Sequence, residues 1–295
     1  MTRWLWRCAA NAGKSSFRWF RAGETASVVC RIISDMPGNG KNFTLIAHRG
    51  FSSDAPENTL TAFDLALEHG FNNMETDVQL TSDGVPVIIH DDLLDRTTTG
   101  MGPVAAASFD TVKSLDAGAW FKPPADGVGR HGAGAYAGEK IPTLEEMLER
   151  YAGRINLHLE LKSREQELAE KVAPLLEKYG WVKPKSAQSA GISISSFDAA
   201  QLWRSKRIMP HLDHGFLLRR ITKADCDLAV AMGCAGIYPM AGGVTPKDVK
   251  MAQENGLFVR TWGVRTETDI RTAYASGASG TTVDWPLKAK QILAS

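Results

Sequence analysis

The sequence predicts an α/β protein, a (β/α)8 barrel, on three observations. From Lys41 onward short apolar runs alternate with amphipathic helical stretches, and apart from one hairpin arm each of eight strands is followed by a helix. A length of 295 residues suits one such barrel. The chemically capable side chains fall at the ends of predicted strands, where barrels of this kind assemble their sites. An open doubly wound sheet is the alternative, but no Gly-rich fingerprint follows the first strand.

Phe43–His48 reads as the first strand, and Thr59–His69 as a helix that Asn58 can cap. Asn73–Val78 is the second strand. Thr81-Ser-Asp83-Gly84 reads as a hairpin loop, so Val85–His90 returns antiparallel and brings His90 roughly across from Glu75. Residues 93–140, with Thr97-Thr-Thr-Gly100, Pro123-Pro124 and a Gly-rich run, form an insertion over the barrel mouth or a partly mobile lid. The rhythm resumes with helix Thr143–Tyr151 and strand Ile155–Lys162. Helix Gln166–Tyr179, strand Gly191–Ser196, helix Ala199–Arg207 and strand Leu212–Leu217 follow. Next come helix Ala224–Met232, strand Ala235–Tyr238, helix Lys247–Asn255 and strand Leu257–Trp262. Helix Glu267–Ser276, strand Gly280–Asp284 and helix Pro286–Leu293 complete the series.

Alternation along the strands separates chemistry from core. Glu75 and Asp77 are two apart and share a face, which Gln79 continues. On the third strand Asn156, His158, Glu160 and Lys162 share one face, while Ile155, Leu157, Leu159 and Leu161 take the other. A strand that only braced a barrel would also bury apolar side chains inward. Polar inward residues therefore predict a polar lumen, and hence a site. His48, Glu160, Lys162, Trp262 and Asp284 all fall at strand ends and would meet at one mouth.

A hydrophobic fraction of 43% with 23% charged residues is ordinary globular composition. The net charge of +1 argues against a dedicated nucleic-acid binder and is compatible with a small phosphorylated substrate. Cys8, Cys30, Cys226 and Cys234 match no zinc spacing or disulfide framework and read as reduced thiols. Residues 1–40 are rich in Arg and poor in acid, with scattered Trp and Phe. They contain neither an apolar run approaching the ~20 residues of a membrane span nor a convincing secretory signal. They are read as a disordered or loosely attached N-terminal extension without a catalytic part, ahead of a barrel domain at 41–295. Transit-like composition and a natural start at Met36 are both compatible with that stretch. No stable membrane insertion and a cytoplasmic address are expected.

At this point the motifs take on a pattern. His48-Arg49-Gly50, Pro56-Glu57-Asn58-Thr59, Glu75-Thr-Asp77-Val78, Asp83-Gly84, His90-Asp91, Arg96-Thr97-Thr98 and Glu160-Leu-Lys162 together resemble the glycerophosphodiester phosphodiesterase family, of the bacterial cytoplasmic type. The similarity runs from Leu45 to Pro286 in the family's order, through Leu115–Phe121, Ile141–Leu144 and Ser195–Phe197. It departs at Trp262-Gly-Val-Arg265, where the family often has Trp-Thr-Val-Asn, at His158, and at Val283-Asp284-Trp285-Pro286. These differences bear on substrate preference. The resemblance implies a TIM barrel and metal-dependent hydrolysis of a small glycerophosphodiester to glycerol 3-phosphate and an alcohol.

Hydrolysis of a phosphodiester needs charge neutralisation, an activated oxygen nucleophile and a proton for the departing oxygen. Glu75, Asp77 and Glu160 offer hard oxygen ligands for a divalent cation, Mg2+ or Ca2+. His48 and His90 suit proton transfer as general acid and base, in an order the sequence leaves open. The resemblance further implies that Arg49 and Lys162 bind the phosphate oxygens and that Trp262 lines the glycerol side. Plainer readings stand beside these. The carboxylates can pair with Arg49 and Lys162 in an ion network, Trp262 can be a core aromatic, and Glu57 can either position substrate or order the loop before Asn58. Asp284 reads as a brace of the barrel, and His69, His131, His211 and His214 as surface, loop or core residues. Two other functions compete with the small-diester hydrolase: a lipid phosphodiesterase or lyase acting on membrane headgroups, and a silent barrel that binds phosphorylated ligands.

Overall fold

In the computed structural model, residues 43–186 and 189–295 are described. The expectations for residues 1–40 lie outside them. Eight parallel strands close into a barrel: β1 (Thr44–His48) and β2 (Asn73–Leu80), then, beyond the short antiparallel β3 (Pro86–Ile88), β4 (Asn156–Leu161), β5 (Gly191–Ser196), β6 (Asp213–Leu217), β7 (Gly236–Tyr238), β8 (Phe258–Val264) and β9 (Gly280–Val283). Pairing runs β1-β9-β8-β7-β6-β5-β4-β2, and β1 also pairs with β2, which closes the ring. β3 is the predicted hairpin arm, appended to the end of β2.

Helices α1 (Leu60–Glu68), α2 (Phe109–Ser114), α3 (Leu144–Tyr151), α4 (Leu168–Lys178), α5 (Ala199–Ile208), α6 (Lys223–Ala231), α7 (Pro246–Glu254), α8 (Glu267–Ala275) and α9 (Pro286–Ala294) follow in order. All but α2, which belongs to the insertion, are the predicted barrel helices. Several begin on a reciprocal cap that the sequence spells out. Thr143 with Glu146, Thr222 with Asp225, Thr245 with Asp248 and Thr266 with Asp269 exchange side-chain and backbone hydrogen bonds across the first turn. The predicted Asn58 cap is wrong by one residue. Thr59 caps α1, its Oγ1 accepting from the Ala62 amide, while Asn58 sits at φ 60° and turns inward.

The main core lies between barrel and helices. Met74, Val78, Leu157, Leu159 and Leu161 face outward and meet Phe63, Met147, Leu148 and Val172. That spends the apolar face of β2 and β4 on the helices and leaves Glu75, Asp77, His158 and Glu160 to the lumen. Residues 93–140 are an insertion as predicted, held by a small core of their own that includes Ile89, Leu94, Val104, Val112 and Ile141. Tyr136 ties it to the barrel by donating from its hydroxyl to the Asp54 carbonyl (2.7 Å). Cys226 and Cys234 are free thiols, as expected. Among the described residues no helix is long and apolar enough to cross a membrane.

The hairpin register differs from the predicted one. Val78 faces Ile88 and Gln79 faces Val87, so the loop is centred on Asp83 rather than between Ser82 and Asp83. Continuing that register sets His90 opposite Thr76, not Glu75, and the strand already ends at Ile88. An odd number of loop residues shifts the whole arm by one. His90 therefore reaches the site from a loop.

Candidate active site

Strand register brings the carboxylates together. In the parallel β2–β4 pair Asp77 is the neighbour of Glu160, and in the β1–β2 pair Glu75 is the neighbour of His48. One oxygen from each of Glu75, Asp77 and Glu160 lies within 4.8 Å of the others, and all three residues are buried. Glu75 and Glu160 line a cavity of about 590 Å³ at the C-terminal mouth, shared with His48, Arg49, His90, Lys162 and Trp262, and Asp77 lies buried against them. The eight residues singled out from sequence thus converge on one place.

The turn after β1 needs its residues. Arg49 lies at φ 57°, and its amide donates to the Glu75 carbonyl (2.9 Å). Gly50 follows at φ 82°, where an added Cβ would come within 2.6 Å of the Ala62 backbone. Only glycine fits that approach to α1. Local strain of this kind is held by the surrounding structure.

Each histidine has a carboxylate on Nδ1. His48 Nδ1 is 2.5 Å from Asp284 Oδ1, and its Nε2 is 3.8 Å from Glu75 Oε2. His90 Nδ1 is 2.6 Å from Asp91 Oδ1. From Asp91 a relay of ion pairs runs through Arg96 (2.5 Å) to Glu57 (2.7 Å), then to Arg49 (2.6 Å) and Asp77 (3.2 Å). Asn58 completes it, donating from Nδ2 to Asp77 Oδ2 (3.0 Å) and accepting from Thr76 at Oδ1 (2.8 Å). Beneath His90, Gln79 Nε2 lies within 3.1, 3.0 and 2.7 Å of the Ile89, His90 and Asp91 carbonyls. Lys162 donates to Glu160 (2.9 Å) and stands over the Phe197 ring.

Burial pushes the Glu75 carboxyl up to about 7, helped by the Asp77 charge beside it. Glu160 is raised for the same two reasons. Asp77 is buried as well, yet Arg49 and Lys162 hold it well below the usual carboxylate range. His48 is raised: burial and Arg49 oppose this, and Glu75 and Asp284 outweigh them. His90 is lowered by burial, with Arg49 and Lys162 adding to it against Asp77. The two imidazoles are therefore driven in opposite directions.

The donor set fits a hard divalent cation. Three carboxylates meet in a buried space, and Asp77 Oδ1 makes no hydrogen bond among the described residues. Lys162 and Arg49 pair with these acids too, so the ion network foreseen as the alternative coexists with the cluster. Trp262 is half-buried and borders the cavity rather than belonging to the hydrophobic core. Its indole N–H donates toward the Leu218 and Tyr238 carbonyls (3.0 and 3.1 Å), and its ring lines the cavity edge-on to Phe197.

Sequence reasoning missed several partners. Asp284 does more than brace the barrel, since its carboxylate engages His48 Nδ1 and orients the ring. Asp91 and Arg96 stand in the sequence as motif letters, Glu57 as a loop residue and Asn58 as a helix cap; that they form one relay, and that Gln79 does more than continue a face, appears only in the structure. His214 is a core histidine as expected, bonded to Ser205 and the Leu212 carbonyl.

A parallel barrel with carboxylates, paired histidines and two phosphate-capable cations at its mouth defines a hydrolase of phosphate esters. The family can be stated more closely, because residues 48–288 match the model of the glycerophosphoryl diester phosphodiesterase family, and the chain belongs to it. It is 33% identical over 246 residues to a glycerophosphodiester phosphodiesterase of Caldanaerobacter subterraneus subsp. tengcongensis, covering 82% of this chain and 94% of that one. To a glycerophosphodiester phosphodiesterase of Bacillus subtilis it is 30% identical over 247 residues, covering 82% of this chain and 83% of the relative. Among solved structures, an Oleispira antarctica phosphodiesterase in complex with the product sn-glycerol-3-phosphate superposes with a TM-score of 0.75 at 30% identity, over 90% of this chain and 99% of that one.

Proposed function

We propose that this enzyme hydrolyses small glycerophosphodiesters to glycerol 3-phosphate and an alcohol, with Glu75, Asp77 and Glu160 holding one divalent cation, Mg2+ or Ca2+. The observation that carries the reading is the buried carboxylate cluster flanked by two histidines that are each tied to a carboxylate through Nδ1. Those ties leave both Nε2 atoms for substrate. When bound, the cation neutralises phosphate charge and acidifies a hydroxyl or water.

Arg49 and Lys162 complement the phosphate oxygens and stabilise the charge that builds on them. His90, kept neutral by its surroundings, takes the proton of the attacking oxygen. His48, whose pKa is raised, against burial and Arg49, by Glu75 and Asp284, donates to the departing alkoxide. Trp262 walls one side of the bound substrate. A silent binding barrel would be expected to lack one of these histidines or carboxylates, and all are present. The reading includes the bacterial cytoplasmic type and a cytoplasmic address.

The test is release of glycerol 3-phosphate from glycerophosphocholine and glycerophosphoethanolamine, with EDTA and with added Mg2+ or Ca2+. Metal-dependent release that His48→Ala and Glu160→Ala both lose, by about 10²-fold or more, supports the assignment. Folded wild-type protein inactive on every glycerophosphodiester and ion would overturn it.

A further inference from the structure

The cavity has a second half. Its carboxylates Glu57, Glu75, Glu160 and Asp284 gather toward β1, β2, β4 and β9, whereas the wall from β5 to β8 carries none. On that wall stands Arg260, at 4% exposure the one Lys or Arg in the buried class among the described residues. It lies on the same face of β8 as Trp262 and borders the cavity. Its Nε and Nη1 make no hydrogen bond among the described residues, and neither does the buried Ser195 Oγ on the same side.

The guanidinium rests on an aromatic platform. It stacks on the Tyr238 ring, 4.2 Å from the centroid. That ring fills the space a side chain at Gly215 would take, where a Cβ would come within 2.0 Å of it. Stacked there, the guanidinium keeps Nε and Nη1 buried and without a hydrogen-bond partner among the described residues. A purely structural arginine spends its donors on carbonyls or carboxylates; a buried cation with donors unspent is costly until an anion meets it.

We infer that Arg260 is a specificity-determining residue that receives an anionic substituent, such as a carboxylate, carried by the substrate outside the reacting phosphodiester. The inference rests on the diesterase reading above and narrows its substrate class to glycerophosphodiesters with an additional negative charge. Arg265, which also borders this half, adds to its positive potential.

Glycerophosphoserine and glycerophosphoethanolamine differ by one carboxylate and form the matched pair for the test. Wild-type enzyme should favour glycerophosphoserine in kcat/KM by about tenfold or more, the scale of one hydrogen bond to a charged group, with the difference carried by KM. Arg260→Gln should bring the ratio near unity, and Arg260→Lys should restore part of it. Calorimetric titration with phosphoserine and phosphoethanolamine in Mg2+ reads the same preference without turnover. If no diester is hydrolysed but phosphoserine still binds preferentially through Arg260, the diesterase reading fails and the anion receptor stands. Wild-type turnover of both diesters at similar kcat/KM, or a preference that survives Arg260→Gln, overturns the inference.

Discussion

His48 Nδ1 lies 2.5 Å from Asp284 Oδ1, a contact between residues at the ends of the first and last strands of the barrel. Barrel closure sets β1 beside β9, and so supplies the histidine with its orienting acid. With Nδ1 engaged, Nε2 is the atom presented to substrate.

That pairing predicts a pH effect of definite sign. His90 acts neutral and has a lowered pKa, so it sets the limb on which kcat/KM rises, below its ordinary 6.5. His48 acts protonated and is raised, so it sets the falling limb above 6.5. Asp284→Asn removes one of the groups that raise His48 and should draw the falling limb toward acid while the rising limb stays. The loss at the optimum should be smaller than the ~10²–10⁴-fold that a general acid contributes. A pH–rate profile in which the rising limb moves instead would assign the roles the other way round.

The carboxylate cluster predicts a stability effect. In the folded protein Glu75 holds its proton up to about 7, against an ordinary 4.5. Between those values the folded state binds more proton than the unfolded chain, so stability falls as pH rises through that window. Chelator-treated protein should lose Tm from about pH 5 to about pH 7.5, and Glu75→Gln should flatten the dependence. Cation binding needs the deprotonated carboxylates, so the gain in Tm from added Mg2+ should grow over the same range. At 100 times Kd the gain is about 2.7 kcal/mol, roughly 5 °C for a domain of this size.

Gln79 continues the face of Glu75 and Asp77, and its amide spans three carbonyls of the segment bearing His90. Gln79→Leu should displace that segment and lower kcat by roughly 10–100-fold, the cost of about 1 Å of misplacement. Stabilisation by metal should persist, because the carboxylates keep their places on β2 and β4. Loss of both together would mean that the variant had collapsed the strand rather than the loop.

What could be read from sequence followed from periodicity. Alternation on β2 and β4 separates Glu75, Asp77 and Glu160 from the apolar outer face, and the strand–helix rhythm gives the barrel. What escaped depended on exact register or on distant closure. A hairpin loop centred on Asp83 rather than half a residue earlier moves His90 by one position. Asn58 and Thr59 both have capping side chains, and only the left-handed backbone at Asn58 decides that Thr59 caps. Asp284 is 236 residues from His48 in sequence, so nothing local marks it as a partner. Arg260 sits beside Thr261 in a strand of mixed letters, and its buried, unpartnered Nε and Nη1 become visible only once Tyr238 and the cavity are in place.

The most direct test joins occupancy to turnover. EDTA-treated protein would be titrated with Mg2+ or Ca2+, reading calorimetric stoichiometry and glycerol 3-phosphate release in the same samples, beside Glu160→Gln. One ion per chain, activity rising in step with occupancy, and loss of both in Glu160→Gln is the predicted result. Full activity in metal-free protein, or binding that leaves Glu160→Gln unaffected, would contradict a cation held by Glu75, Asp77 and Glu160.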